Sequence, residues 1–80
     1  MNEMQIKEKL IAVLKDIAPE VEESDVDDKI NLQEQFDLDS VDVMNFIIKV
    51  QKRFNVEIPN KDFRSFLVIN EATKYLRKLV

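Results

Sequence analysis

The 80-residue chain contains no glycine, no histidine, no cysteine and no tryptophan. The absence of glycine excludes the glycine-rich loops that hold phosphates and dinucleotides. The absence of cysteine and histidine excludes disulfides, thiol nucleophiles, histidine bases and the usual zinc sites. A domain of this size buries only ~60–65% of its unfolded surface, which leaves little room for an internal active site. We therefore expect one domain over residues 1–80 that is not an enzyme and holds no metal ion.

The chain also lacks long apolar runs, and the start from Met1 to Met4 has neither a basic region nor an apolar segment. A membrane-spanning helix needs about 20 predominantly apolar residues, and a secretory leader needs both of those features. We expect a cytoplasmic monomer that neither inserts into a membrane nor binds nucleic acid.

The net charge of −4 is unevenly distributed along the chain. From Asp16 to Asp42, eleven acidic residues accompany a single base, Lys29, so that this segment carries −10. The other residues include eleven bases and five acids and carry +6. A local field of this size steers a charged partner or attracts counterions. The alternative is a solvated acidic loop whose charge serves only solubility.

Two segments have the periodicity of amphipathic helices. Residues 3–17 repeat apolar side chains at spacings of three and four, and Pro19 ends this segment because proline disfavours a helical conformation in the residue before it. Residues 40–54 form the second helix, with Asp39 as its N-cap and Asp42 in a capping-box relation to Asp39. The apolar residues of the first helix are Ile6, Leu10, Val13, Leu14 and Ile17.

The remaining segments are shorter or less regular. Residues 19–38 are interpreted as a long acidic connection with one short helical turn, held on the core by its apolar side chains. Asn60 is expected to cap a short third helix, and Asn70 to cap the last helix. The predicted fold is all-α, a small four-helix bundle of three main helices and one short helix. The apolar residues assigned here are Val21, Val26, Ile30, Leu32, Phe36 and Leu38 in the connection, Phe63, Phe66 and Leu67 in the short helix, and Ala72, Tyr75, Leu76 and Leu79 in the last helix.

The second helix carries two apolar stripes rather than one. At ~100° per residue, the second stripe lies ~130° away from the first. A helix in a small bundle normally buries one such face. The second stripe is therefore either covered by the long connection or exposed to a partner, and the periodicity alone favours neither. The core stripe comprises Val43, Phe46, Ile47, Val50 and Phe54, and the second stripe comprises Val41, Met44 and Ile48.

Ser40 places a hydroxyl at the N-terminus of the second helix, within the acidic run 37–42. Free backbone N–H groups and the positive end of the helix dipole favour a phosphate at such a position. The hydroxyl is therefore a sensible place to attach a phosphate-containing group. The alternative is that Asp39 and Ser40 are simple capping residues.

Taken together, these features resemble the acyl carrier protein family over residues 4–79. The resemblance rests on the motif Asp39-Ser40-Val41-Asp42 at the start of an apolar helix and on the run 54–59, Phe-Asn-Val-Glu-Ile-Pro, at its end. It implies that a phosphopantetheinyl transferase moves 4′-phosphopantetheine from coenzyme A onto Ser40. The thiol of this arm then carries acyl groups as thioesters, which explains why the chain needs no cysteine of its own.

The resemblance also implies roles for individual residues and partners. Asp39 helps to position Ser40 and its metal-bound phosphate in the transferase complex, and the second stripe becomes an exposed docking surface. Three residues, Phe46, Ile47 and Val50, line the interior that can shelter an acyl chain. The partners are acyl-loading and acyl-transferring synthase enzymes of fatty-acid, polyketide or related acyl synthesis. The implied docking residues are Val41, Asp42, Met44, Asn45, Ile48 and Lys52.

The chain departs from the family pattern at two places. Asp37 stands where the family usually has glycine, and we expect the turn to survive because aspartate tolerates positive φ better than most residues. The later half of the second helix is basic where fatty-acid carriers are acidic. Since like charges suppress wrong partners, this difference indicates a specialised rather than a housekeeping carrier. The replacing residues are Asn45, Lys49, Gln51, Lys52 and Arg53.

Two other functions remain open at this point. A peptidyl or aminoacyl carrier has the same arm, and a small helical interaction module would use the same exposed stripe without any prosthetic group. A calcium-binding loop starting at Asp25 fails, because Lys29 holds its fifth position, Ile30 replaces the required glycine and Phe36 replaces the bidentate glutamate. Loose binding of divalent ions by the acidic segment stays open.

Overall fold

The computed structural model describes all 80 residues and consists of helices without any strand. Its α-helices are α1 (Glu3–Ile17), α2 (Leu32–Phe36), α3 (Ser40–Phe54) and α4 (Ile69–Arg77), and two 3₁₀ helices span Glu23–Asp25 and Asn60–Leu67. The predicted small all-α bundle is confirmed, and α1 and α3 have the predicted bounds. None of the helices combines the length and the apolar character that crossing a membrane requires.

Reciprocal hydrogen bonds at its N-terminus define where α1 begins. The Asn2 side chain accepts from the Gln5 backbone N–H at 2.9 Å, and the Gln5 side chain accepts from the Asn2 N–H at 3.0 Å. This capping box satisfies two donors that the helix itself leaves free. At the other end, Ala18 closes the helix through its N–H to the Leu14 carbonyl. Four of the five predicted apolar residues of α1 are buried, and Ile17 is partly buried.

The core lies where α1 packs against α3 and α4. Each of these helices contributes one apolar face, as expected for an amphipathic helix in a small bundle. Phe66, from the second 3₁₀ helix, is completely buried and packs edge-on against the Tyr75 ring of α4, with 5.0 Å between ring centroids. The residues that the main helices contribute to this apolar core are Ile6, Leu10, Val13 and Leu14 of α1, Phe46, Ile47, Val50 and Phe54 of α3, and Ile69, Ala72 and Leu76 of α4.

The Tyr75 hydroxyl connects α4 to the second 3₁₀ helix. It donates a hydrogen bond of 2.7 Å to the Asp62 carboxylate. This hydrogen bond raises the pKa of Tyr75 above its ordinary value of 10.0, and desolvation and the charge of Asp62 act in the same direction. The neutral phenol is therefore the form that the folded protein favours.

The connection between α1 and α3 contains more helix than the single turn predicted. The 3₁₀ helix Glu23–Asp25 and α2 both lie within it. Val21 and Leu32 are buried as expected, but Ile30 is 43% exposed and does not hold the connection on the core. The Gln35 side chain instead bridges this segment, accepting from the Asp27 N–H at 2.8 Å and donating to the Ile30 carbonyl at 2.6 Å. The other expected core contacts, Val26, Phe36 and Leu38, are partly buried against the core.

The two asparagine caps predicted for the later helices are wrong. Pro59 is the residue that precedes the second 3₁₀ helix, so Asn60 is already helical. Helix α4 begins at Ile69, which is buried, so Asn70 is already the second helical residue. The Asn70 N–H donates to the Asp28 carbonyl at 3.0 Å, a tertiary contact to the acidic segment. Leu79 follows the end of α4 and is 52% exposed, so it does not belong to the core face.

Candidate functional site

The start of α3 is fixed by the predicted capping box. The Asp39 carboxylate accepts from the Asp42 backbone N–H at 2.8 Å, and the Asp42 carboxylate accepts from the Asp39 N–H at 3.3 Å. Asp39 itself is extended, with φ −87° and ψ 178°, and its carbonyl accepts from the Val43 N–H. As a result, Ser40 is the first helical residue.

The turn that leads into this helix contains Asp37, the residue that stands where the family usually has glycine. Asp37 ends α2 in the left-handed conformation, with φ 54° and ψ 44°. Aspartate is one of the few residues with a Cβ that visit this region routinely. The expectation that the turn survives without glycine is confirmed. The turn separates α2 from α3 by only three residues, Asp37, Leu38 and Asp39.

Ser40 is exposed to solvent at this helix start. The first four N–H groups of an α-helix lack intrahelical acceptors. Here those of Asp39 and Asp42 are used by the capping box, whereas those of Ser40 and Val41 have no backbone acceptor. An exposed hydroxyl beside two free N–H groups and the positive end of the helix dipole fits a phosphate ester.

The two apolar stripes of α3 have opposite surroundings. Phe46, Ile47 and Val50 are at most 1% exposed, and Phe54 is also buried. Val41 is 65% exposed, and the other two members of the second stripe, Met44 and Ile48, are 42% and 41% exposed. The connection therefore does not cover the second stripe, and the resemblance-based expectation of exposure is confirmed. Val43, assigned to the core stripe, lies at its edge and is partly buried.

The exposed face of α3 becomes basic toward its C-terminal end. Lys49, Lys52 and Arg53 are exposed, as is Asn45. The only two ion pairs of the molecule, Lys7–Asp28 and Glu3–Arg77, lie elsewhere. The three bases therefore have no acidic partner within the chain. Asn55 then ends the helix in the left-handed conformation, with φ 55°.

The interior residues implied to shelter an acyl chain belong to a closed core. Neither of the two surface clefts is lined by Phe46, Ile47 or Val50. Both clefts lie instead between α1 and the acidic segment, with Lys7 and Asp28 on the wall of each. Sequence reasoning missed these clefts, because the tertiary contact that pairs Lys7 with Asp28 spans 21 residues. The chain contains no grouping of acidic side chains arranged to hold a metal ion.

Comparison with known families decides the class of protein. Residues 8–76 match the family described as the phosphopantetheine attachment site. The chain belongs to this phosphopantetheine-attachment family. The resemblance to acyl carrier proteins is thereby confirmed, and with it the prosthetic group, a covalently attached 4′-phosphopantetheine.

Individual relatives of this phosphopantetheine-attachment protein are acyl carrier proteins. It is 26% identical to the acyl carrier protein of Lactobacillus acidophilus over 77 residues, covering 96% of this chain and 95% of the relative. It is also 26% identical to the meromycolate extension acyl carrier protein of Mycolicibacterium smegmatis, covering 91% of this chain and 77% of the relative. An acyl carrier protein of Rubrobacter xylanophilus is 29% identical over 56 residues. All three relatives are named acyl carrier proteins, and the first two matches cover more than nine-tenths of this chain.

Proposed function

We propose that Ser40 carries the 4′-phosphopantetheine group. The observation that supports this assignment is the exposed hydroxyl at the first position of α3, beside two N–H groups without backbone acceptors. The other two serines lack this setting. Ser24 lies within a 3₁₀ helix of three residues, and Ser65 lies near the C-terminal end of the second 3₁₀ helix.

Attachment is a phosphoryl transfer in which Ser40 Oγ is the nucleophile. Oγ attacks the phosphorus of coenzyme A that bears the pantetheine, the bond from that phosphorus to the bridging oxygen breaks, and adenosine 3′,5′-bisphosphate leaves. The chain has no histidine, and no carboxylate hydrogen-bonds to Oγ. The serine proton therefore goes to a base of the phosphopantetheinyl transferase. Asp39 positions Ser40 by fixing the start of α3 through its side chain.

The attached group supplies a terminal thiol that holds acyl intermediates as thioesters. The chain presents this arm to acyl-loading and acyl-transferring enzymes of fatty-acid, polyketide or related acyl synthesis. Its own contribution is the exposed face next to Ser40, where Val41, Met44 and Ile48 offer apolar contact and Asp42 offers charge. Asn45 and Lys52 continue this surface along the helix. Exposed apolar groups of this kind are typical of docking sites.

An acyl chain enters the interior only if the bundle opens beside α3. Phe46, Ile47 and Val50 face the core that such a chain would have to displace. Small domains have total stabilities of about 4–12 kcal/mol at this length, so local opening is accessible. We propose that these three residues line the space that opens, and that the empty protein keeps it closed.

The test is to incubate the protein with coenzyme A and a broad-specificity phosphopantetheinyl transferase and to measure its intact mass. We expect one added phosphopantetheine on the wild type and none on Ser40→Ala. Ser24→Ala, which removes another exposed hydroxyl, is the matched control and should be modified normally. Modification of Ser40→Ala would contradict the assignment, and no modification by several transferases would leave a small interaction module as the function.

Cargo class is tested separately on the modified protein. Loading is compared between acyl-adenylating and aminoacyl-adenylating enzymes, with the amount of each thioester determined by mass. We expect acyl loading to exceed aminoacyl loading. The opposite preference would make this protein a peptidyl carrier without changing the assignment of Ser40.

A further inference from the structure

The exposed face of α3 changes from apolar side chains near Ser40 to basic side chains at the C-terminal end of the helix. Side chains four residues apart lie above one another on a helix. One such row runs Met44, Ile48, Lys52, and the neighbouring row runs Val41, Asn45, Lys49, Arg53. Both rows are apolar near Ser40 and basic at the far end, and all seven side chains are exposed. At about 1.5 Å per residue, the bases lie about 14–20 Å along the helix axis from Ser40.

The three bases at the C-terminal end of α3 form no ion pair with an acidic residue of the chain. The carboxylates of the acidic segment precede α3 or lie in its first turn, and neither ion pair of the chain involves Lys49, Lys52 or Arg53. The helix dipole favours bases in the last turn, which accounts for Lys52 and Arg53. It does not account for Lys49, which lies before the last turn, nor for the continuity of the bases with the apolar rows.

From this arrangement we infer which apolar and charged groups the docking enzyme presents to α3. This inference rests on the proposed function of Ser40. The enzyme that docks on this face presents an apolar surface to Val41, Met44 and Ile48 and carboxylates to Lys49, Lys52 and Arg53. Its surface next to the Ser40 arm is basic, because Asp37, Asp39 and Asp42 surround the helix start. Opposite charges at the two ends fix the direction in which the helix lies on the enzyme, and they suppress enzymes that are basic throughout.

Charge complementarity favours an enzyme over an anionic membrane as the occupant. A helix that lies on anionic lipid has bases along its whole polar face. Here Asp39 and Asp42 lie at one end of the same helix, and the segment from Asp16 to Asp42 carries −10. A flat anionic surface would repel that end. Only a partner with charges of both signs matches the whole length of α3.

The test uses the phosphopantetheine-loaded protein and one malonyl transferase in two versions. The first version keeps a docking face rich in lysine and arginine, and the second carries three glutamates at the positions that meet the far half of the carrier helix. We expect kcat/KM with the wild type to be about tenfold higher for the second version, since three surface charge pairs together supply that factor. The preference should shrink as salt rises from 0.1 M to 1 M, because the Debye length falls from about 10 Å to about 3 Å.

Two variants with the same change in net charge separate docking from overall charge. Lys49→Glu/Lys52→Glu/Arg53→Glu should reverse the preference between the two transferases. Lys15→Glu/Lys74→Glu/Lys78→Glu changes three exposed bases on α1 and in the C-terminal region and should leave the preference unchanged. If the glutamates disturb the end of α3, Lys49→Gln/Lys52→Gln/Arg53→Gln should abolish the preference instead.

The outcomes distinguish this inference from the proposed function. If the wild type is never modified on Ser40, both fail. If it is modified but the two transferases load it equally well, or if both charge variants change the preference alike, only the partner inference fails. Sedimentation of the wild type with phosphatidylglycerol vesicles, reduced by the α3 variant and not by the control variant, would also overturn it in favour of a membrane surface.

Discussion

The two apolar faces of α3 have similar side chains and opposite surroundings. Ile47, completely buried, and Ile48, 41% exposed, are adjacent in the sequence and identical in chemistry. The first packs where α1 meets α3, and the second is exposed to solvent. Burial is therefore decided by the position of each residue relative to α1 and α4, and apolar character alone does not show which face serves folding.

The buried face and the exposed face of α3 contribute differently to the stability of the fold. Fully burying an apolar side chain contributes about 1.5–3 kcal/mol, whereas a residue left half exposed contributes much less to stability. The second stripe consequently has little reason to be apolar in the isolated protein. We propose that contact with a partner enzyme explains its apolar character, and the following predictions test that explanation in order of decreasing effect.

Removing a side chain from the buried face should have the largest effect. Phe46→Ala should lower the free energy of unfolding by about 3–5 kcal/mol, because it leaves a cavity in a closed core. Met44→Ala, on the exposed face of the same helix, should change it by less than about 0.5 kcal/mol. Urea unfolding of the two variants measures this difference. Equal losses would show that Met44 is part of the core and that the two faces are not distinct.

A polar substitution on the exposed face should affect docking rather than folding. Ile48→Gln keeps the length and the helix propensity of the residue but removes its apolar contact. We expect kcat/KM for modification by the transferase to fall about tenfold, the effect of about 1.4 kcal/mol at an interface. The free energy of unfolding should stay within about 0.5 kcal/mol of the wild type. Unchanged modification together with lower stability would assign Ile48 to the fold.

The turn before α3 should show a smaller effect, confined to stability. Asp37→Gly relieves the left-handed conformation at this position and should raise the free energy of unfolding by about 0.5–1 kcal/mol. Asp37→Val should lower it by about 1–2 kcal/mol, because a β-branched residue is strained there. Thermal unfolding compares the three proteins. A valine variant as stable as the wild type would mean that this turn does not set the start of α3.

The smallest effect concerns Tyr75, on α4 and apart from both faces of α3. Its folded-state pKa lies above 10.0, so the hydrogen bond to Asp62 stabilises the fold fully at pH values below about 10. This contribution is lost as the pH rises through the higher folded-state pKa. Tyr75→Phe should remove this part of the pH dependence of unfolding at alkaline pH and leave modification by the transferase unchanged. Identical pH profiles for the two proteins would contradict the stabilising role of this hydrogen bond.

The parts of the fold that depend on local patterns were predictable. Helices α1 and α3 were placed correctly because each has a regular apolar face and a clear ending signal, and α3 also has the Asp39–Asp42 capping box. The left-handed turn at Asp37 was expected from the backbone preferences of aspartate. The assignment of Ser40 as the attachment residue rests on the same local features and on the resemblance to a family, and it stays a prediction.

The errors arose where tertiary contacts override local preferences. Asn70 has the chemistry of a cap, yet its backbone N–H is bound by the distant Asp28 carbonyl and the helix begins before it. Ile30 was expected in the core, but the Gln35 side chain holds that segment through backbone hydrogen bonds. The exposure of the second stripe likewise could not be read from the periodicity of α3, because it depends on the path of the connection across the surface.

The central claim is that α3 uses one face for folding and offers the other, with Ser40, to partner enzymes. It is tested most directly by an NMR titration of Ser40→Ala with the phosphopantetheinyl transferase and coenzyme A, since we expect this variant to bind without being modified. We predict that the largest changes fall on Val41, Met44 and Ile48, and that the buried side of α3 changes little. Changes centred on the clefts around Lys7 and Asp28 would contradict the account.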